Sequence, residues 1–303
     1  TIGIAGHLRP DGDCMGSCMS LYNYLKKNRP DLDVRVFLEF VDKKFNIIEN
    51  TDQIITTGYD GTKFDLFISL DTASLDRLGL NLPFYENAKR TACIDHHASN
   101  DGYADYNYIL PKASSASEVL YDLLDEDLID KSIAEPMYMG IAHDSGVFRF
   151  QSTTPKTMRI AANMIEKGVN VNMILEETFF RKTYNQMMVT AKIQSEAVLA
   201  LDGKCIYGYC TSEMMEEYGV TTKDLDAVVA SIRNVDGVEV AMFLYQLSED
   251  SYKVSLRSKN YVDVSKIAVE NGGGGHVRAA GAEIHGELND IINKLLNRIK
   301  QDI

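Results

Sequence analysis

The feature that most constrains this chain is a repeated juxtaposition: a short, unbroken apolar run followed at once by a carboxylate or an imidazole. TIGIAG leads into His7, FDLFISL into Asp71 and TACI into Asp95, while the apolar MYMGIA stands just ahead of Asp144. Runs of this length without period-two alternation are strands covered on both faces, the mark of a parallel sheet packed between helices. Helical stretches fall between them. CMSLYNYLKKN is closed by Asn28 and Pro30, SSASEVLYDLL opens with a capping box from Ser115 to Glu118, and TPKTMRIAANMIEKG carries Pro155 early and stops at Gly168. With VRVFLEF as a further strand, the first half reads as a doubly wound, mainly parallel α/β domain.

The second half differs in texture. KCIYGYC, VEVAMFLYQL and YKVSLRS show period-two features, separated by the helical stretches TSEMMEEYG and TTKDLDAVVASIRN. A glycine tetrad, Gly272 to Gly275, and an amphipathic stretch, ELNDIINKLLNRIKQDI, complete a smaller α/β domain. The expected organisation is a first domain over 1–182, a helical linker over 183–197 and a second domain over 198–303.

Composition narrows the class. Across 303 residues, 31 basic side chains stand against 44 acidic ones, a formal charge of -13 that disfavours wrapping long nucleic acid. No apolar run is long enough for a transmembrane helix, so no membrane contact is expected from this chain. Five cysteines with no CxxC pair give neither a disulfide framework nor a thiolate zinc site, which fits a reducing, cytoplasmic setting. The chain opens at Thr1 on an apolar run without a charged leader, so further segments upstream are left open.

Ligands of open parallel sheets gather outside the carboxyl ends of the strands. In that position GHLRPDGD offers His7, Asp11 and Asp13, and three other segments offer Asp71, then Asp95, His96 and His97, then Asp144. Singly, each has an ordinary explanation as a helix cap or turn residue. Together they would repel one another unless a cation neutralised them. Mixed carboxylate and imidazole ligation without thiolate suits Mn²⁺, with Fe²⁺, Co²⁺, Zn²⁺ and Mg²⁺ compatible. More ligands than one ion needs points to two divalent cations, the arrangement that clamps the attacking and leaving oxygens of a phosphoryl displacement.

HLRPDGD, LDTASLDRLG, the triplet Asp95-His96-His97 and GIAHDSGVF resemble, in order and spacing, the four motifs of the DHH phosphoesterase superfamily. VSLRSK and NGGGGHVRAAG resemble its DHHA1 partner domain, so the likeness covers essentially the whole chain. It is nearest to the stand-alone bacterial nanoRNase and pAp phosphatase group. The resemblance implies that His7 and Asp11 hold one metal, that Asp13, His96 and Asp144 complete a second, and that Asp71 bridges them. It further implies His97 facing the substrate phosphate as a general acid and Asp95 orienting a neighbouring imidazole. Two positions depart from the pattern: Cys14 where alanine is frequent and His143 where threonine is common.

In the same resemblance Arg257 and His276 grip the substrate across an interdomain cleft, with Gly273, Gly274 and Gly275 letting backbone amides approach an anion. Local charge agrees, since Lys253 to Gly281 carries a net +3 within the acidic chain. The implied reaction is in-line attack of a metal-activated water on a phosphodiester or terminal phosphomonoester. Very short oligoribonucleotides would give nucleoside monophosphates, and 3',5'-bisphosphoadenosine (pAp) would give AMP. The chain's acidity limits substrate length, so long duplexes are not expected partners, and a homodimer is compatible with the sequence. A cyclic di-AMP or linear pApA phosphodiesterase is the nearest alternative. A non-catalytic nucleotide-binding regulator should have lost a ligand, and none of the six is missing.

Overall fold

The first-half apolar runs pair side by side as β1 (Ile2–Ala5), β2 (Val34–Phe37), β3 (Leu66–Leu70) and β4 (Thr91–Asp95) in the computed structural model, which describes residues 1–225 and 228–303. With β5 (Tyr106–Ile109) they form one sheet in the order β2-β1-β3-β4-β5, every neighbouring pair parallel. Pleating sends alternate side chains to opposite faces. Ile4, Val34, Val36, Ile68, Leu70 and Ile94 enter one core, and Ala5, Phe37 and Phe67 enter another. Both faces are therefore covered, as the unbroken apolar runs imply. Strand β5 had no apolar run to announce it: it lies at the sheet edge with Tyr106 and Asn107 exposed.

The helices of this first unit, Thr1–Arg181, are α1 (Gly12–Asn28), α2 (Leu82–Glu86), α3 (Ala116–Tyr121), α4 (Lys131–Asp144), α5 (Pro155–Glu166) and α6 (Val171–Leu175). The closest packing is between α1 and α4, where glycine is required. A Cβ on Gly16 would lie 2.5 Å from the Pro136 carbonyl oxygen and 2.8 Å from the Gly140 backbone. Pro136 inside α4 has no N–H for the Ser132 carbonyl, and Asn23 Nδ2 of α1 donates to that oxygen instead at 2.8 Å. The two helices that carry acidic residues to the sheet edge are thus locked in register.

Capping follows the sequence in part. Thr154 caps α5 with Pro155 at its first position, and Gly168 takes the left-handed conformation beyond its end. At α3, Ser115 accepts from the Glu118 amide at 3.0 Å, but the reciprocal half of the expected capping box does not form. The Glu118 carboxylate instead accepts from Ser114 Oγ at 2.6 Å and Thr157 Oγ1 at 2.7 Å, buried partners that compete successfully with the free amide.

The second unit, Lys182–Ile303, opens with α7 (Tyr184–Ser195). Residues expected to form a linker thus include a helix of this unit's core, with Val189 and Ile193 fully buried against Val228, Val229 and Phe243. The sheet that follows contains β6 (Val198–Ala200), β7 (Cys205–Cys210), β8 (Val240–Ser248), β9 (Ser251–Ser258), β10 (Gly274–His276) and β11 (Ala279–His285). Their order is β10-β11-β9-β8-β7-β6, with only β7 and β8 parallel. Helices α10 (Val264–Val269) and α11 (Leu288–Ile299) pack on one face, and α7, α8 (Ser212–Tyr218) and α9 (Val228–Arg233) on the other. The helix expected over 221–234 appears as a short turn, Thr222–Asp224, and α9, while Asp226 and Ala227 of that stretch lie outside the described residues. All five cysteines are buried free thiols. Among the described residues no helix is long and apolar enough to cross a membrane.

Candidate metal centre

The carboxyl ends of β1, β3 and β4 and the end of α4 deliver polar side chains to one place. His7 follows β1, Asp71 follows β3, and His96 and His97 follow Asp95, the last residue of β4. Asp71 sits in the left-handed region with φ of 51°, a conformation aspartate tolerates better than most residues and one that turns its carboxylate inward. Its two oxygens face different imidazoles: Oδ2 lies 3.5 Å from His7 Nε2 and Oδ1 3.5 Å from His96 Nε2. Around this central group stand Asp11, 3.8 Å from His7 Nε2, and Asp144 and Asp13, 3.1 and 4.0 Å from His96 Nε2.

Each of these side chains is held by a neighbour. Asp11 caps α1, Oδ1 accepting from the amides of Asp13 and Cys14 at 3.0 and 3.1 Å. Asp13 is wholly buried and is gripped by the start of α3: Oδ1 accepts from Ser117 Oγ at 2.6 Å and from the Ser117 amide at 3.0 Å, and Oδ2 from the Ala116 amide at 2.5 Å. The His7 ring lies with Nδ1 2.7 Å from the Leu8 carbonyl oxygen. A carbonyl can only accept, so Nδ1 carries a proton and the Nε2 edge of the ring faces Asp11 and Asp71. Asp95 accepts from His97 Nδ1 at 2.8 Å and from Asn100 Nδ2 at 2.7 Å, which turns the Nε2 edge of His97 away from Asp95.

The electrostatics are those of a site with too much negative charge. Burial, with the Asp71 and Asp144 carboxylates adding to it, pushes Asp13 well above the ordinary carboxylate range. Burial likewise raises Asp144 to about 6, prevailing over the opposing pull of His96, with Asp11 and Asp71 adding to the rise. Burial would lower His96, but Asp144, Asp71 and Asp13 overcome it and the imidazole is pushed up to about 12. Asp71 is held low by His7 and His96 against the effect of its own burial. Most telling is Asp71 Oδ1, a buried carboxylate oxygen that accepts no hydrogen bond among the described residues. An oxygen so placed ordinarily costs about 1–3 kcal/mol or more. Donor atoms lie within 4.8 Å of one another inside each of three overlapping sets: His7, Cys14 and Asp71; Asp71, His96 and His97; and Asp13, His96 and Asp144. Oxygen and imidazole nitrogen donors around an unsatisfied carboxylate fit a divalent cation.

All eight carboxylate and imidazole residues named from the sequence gather here, Asp144 from the end of a helix rather than of a strand. Others had no sequence signal: Ser117 looks like an ordinary polar residue of a helix's first turn, and Asn100 like one of a loop, until the chain folds. The same is true of Gly140, where a Cβ would overlap Ser117 Oγ and stand 2.7 Å from Asp13 Oδ1. Cys14 is fully buried, its sulfur filling the space beside Gly6. His143, the second departure, has its Nε2 2.9 Å from Thr178 Oγ1, and burial together with Lys44 lowers it to about 4.

In the second unit Arg257 and His276 come into one row. Ala279 of β11 pairs with Arg257 of β9 on one side and with His276 of β10 on the other, so all three project from the same face. The glycine tetrad runs into strand β10. Gly273 and Gly275 are required by packing, since a Cβ on Gly273 would lie 2.7 Å from Ala282 Cα and one on Gly275 2.5 Å from the Ala279 carbonyl oxygen. Gly274 has open space beside it. Arg278 donates to the carbonyls of Val262, at 2.7 Å, and Asn260, a structural role in the turn before β11.

The family description "DHH family, N-terminal domain" matches residues 1–141, and the DHHA1 domain matches residues 202–302. The Thermus thermophilus protein named bifunctional oligoribonuclease and PAP phosphatase NrnA is 31% identical, over 100% of this chain and 90% of that protein. The Bacillus subtilis protein of the same name is 27% identical over 94% of this chain and 90% of its own. The crystal structure of an exopolyphosphatase-related protein from Bacteroides fragilis superposes with a TM-score of 0.90, covering 99% of this chain and 93% of that one at 23% identity. With both domain matches in order and a relative of that identity along its full length, this chain belongs to the two-domain DHH and DHHA1 phosphoesterase family.

Proposed function

We propose that this chain is a divalent-cation-dependent phosphoesterase that hydrolyses very short oligoribonucleotides to nucleoside monophosphates and converts pAp to AMP, with Mn²⁺ as the metal. The observation that carries the reading is Asp71, whose two oxygens face separate imidazoles and one of which lacks a hydrogen bond. That disposition favours Asp71 as a bridge between one cation held by His7 and Asp11 and another held by Asp13, His96 and Asp144. The proteins named oligoribonuclease and PAP phosphatase, similar along nearly all of the chain, support the substrate class.

Divalent cations, when bound, lower the pKa of water and offset charge building on the phosphoryl oxygens. The remaining work falls to the protein. Asp95 and Asn100 fix the His97 ring so that its Nε2 edge serves the substrate side, where it donates a proton to the departing oxygen. Water adds its oxygen to phosphorus and releases one proton, which restores His97 after turnover; the bridging P–O bond breaks, and the departing oxygen takes the proton His97 held and leaves as a hydroxyl. In the second domain, Arg257 and His276, on one face of the sheet within a segment of net +3, bind the substrate's anionic groups. The test is Mn²⁺-dependent hydrolysis of pApA, longer oligoribonucleotides and pAp side by side. Turnover of the short substrates and pAp is expected. No turnover of any of them with metal bound would refute the reading, and cyclic di-AMP cleaved at comparable rate would replace it with a cyclic dinucleotide phosphodiesterase.

A further inference from the structure

One imidazole close to the centre is neither a ligand nor a proton donor in that reading. His143 lies in the last turn of α4, one residue before Asp144, and its ring touches three segments that are distant in sequence. Against Gly12, at the start of α1, the fit is so close that a Cβ there would overlap His143 Cγ and Nδ1 and stand 2.6 Å from its Cβ. Phe45, in the turn Lys43–Ile47, lies 5.9 Å away between ring centroids. Phe179 stands edge-on at 5.3 Å and 80°, within the single π-turn Glu176–Phe180.

The hydrogen bonds define the ring's state. Thr178 Oγ1 donates to the Ile174 carbonyl at 2.7 Å, and a hydroxyl has one proton to give. Toward His143 Nε2, 2.9 Å away, it can therefore only accept. Nε2 carries the hydrogen, and the opposite side of the ring, with Nδ1, is pressed against the backbone of Gly12. Gly12 lies between Asp11 and Asp13, and His143 directly precedes Asp144, so three of the proposed ligands adjoin this contact in the chain.

We propose that His143 is a positioning residue for the metal centre: locked by Thr178, its ring is the spacer that sets the separation between the Asp11–Asp13 loop and the end of α4. This rests on the metal-dependent reading above. Truncation would let Gly12 and its flanking carboxylates settle toward α4, and loss of the Thr178 acceptor would free the ring to turn. The consequence is a changed affinity for the cations before any substrate arrives.

The experiment measures Mn²⁺ affinity, by electron paramagnetic resonance of the free ion, for the parent chain and for H143A, H143Q, T178V and T178S, with kcat and KM on pApA alongside. H143A and T178V should weaken Mn²⁺ binding about 10-fold, the lower end of the effect seen when groups supporting metal ligands are removed. H143Q, whose amide can still donate to Thr178, and T178S, which keeps the acceptor, should stay near the parent. The kcat of H143A and T178V should recover as Mn²⁺ is raised, with KM little changed. Should H143A fail to fold, T178V, which keeps the ring, carries the comparison. Parent-like affinity in T178V and in any folded H143A overturns the proposal, even if thermal stability falls. A parent that binds no Mn²⁺ overturns the reading on which it rests, and this proposal with it.

Discussion

Replacing Gly140 by alanine should destabilise the first domain even though alanine is the better helix former. In an exposed helix interior the change would stabilise by about 0.5–1 kcal/mol. Here a Cβ would overlap Ser117 Oγ and stand 2.7 Å from Asp13 Oδ1, where ordinary contact begins at 3.4 Å. The obstacle is not a flexible chain end but a carboxylate pinned by three hydrogen bonds to the start of α3. Forcing an extra carbon into a packed site costs about 1–3 kcal/mol. Displacing the Ser117 hydroxyl from Asp13 costs about 1.5–3 kcal/mol more, as for hydrogen bonds to charged groups. Less the helix gain, G140A should lose about 3 kcal/mol of stability. Urea denaturation followed by circular dichroism measures this directly, and S117A/G140A should be less destabilised than the two single losses added together, because the hydroxyl in the way has gone. A G140A chain as stable as the parent would refute the tight seating of Asp13.

Other outcomes follow from the same geometry. Asp71→Ala removes the carboxylate shared by both imidazole groups, so hydrolysis of pApA should fall by roughly three orders of magnitude, the scale of losing electrostatic stabilisation at a reacting centre; activity within tenfold of the parent would contradict its central role. Arg257→Ala should weaken nucleotide binding roughly 10- to 100-fold, the equivalent of about 1.5–3 kcal/mol for a charge-assisted bond, while sparing a small generic diester. Equal losses on both substrates would contradict that division of labour. Glu239 is buried, and although burial opposes it, backbone amides of Val262, Tyr261 and Asn260 hold its carboxyl below the ordinary 4.5. Its stabilising effect is therefore complete above pH about 4.5 and is lost as pH falls through the lower folded value. Glu239→Gln should cost about 2–3 kcal/mol at neutral pH, for bonds to a charged acceptor, and the gap to the parent should close on acidification; a gap that does not vary with pH would refute the ionised state.

Legibility in the sequence followed local physics. Strands β1, β3 and β4 were readable because burial on both faces demands unbroken apolar runs, and the site was readable because its polar residues stand where those runs end. Strand β5 was not, since an edge strand with Tyr106 and Asn107 exposed needs no apolar run. The Glu118 carboxylate was assigned to a local cap and went to Thr157, 39 residues on, because a buried acceptor surrounded by hydroxyls outcompetes a free amide. The helix Tyr184–Ser195 looked like a connector because its apolar residues are scattered around it rather than gathered in one stripe, yet Val189 and Ile193 suffice to seat it in the second core.

By itself the sequence determined the inventory of the centre: which carboxylates and imidazoles stand at strand ends, in what order, and hence which chemistry they can support. Tertiary structure decided how each is used. Asp13 is held by residues 103 and 104 positions away, and His97 is aligned through Asp95 and Asn100. The two oxygens of Asp71 are divided between imidazoles delivered by different strands. A side chain's identity is local, but its hydrogen bonds, burial and field come from whatever the fold packs against it, and at this sheet edge those neighbours arrive from five separate stretches of chain.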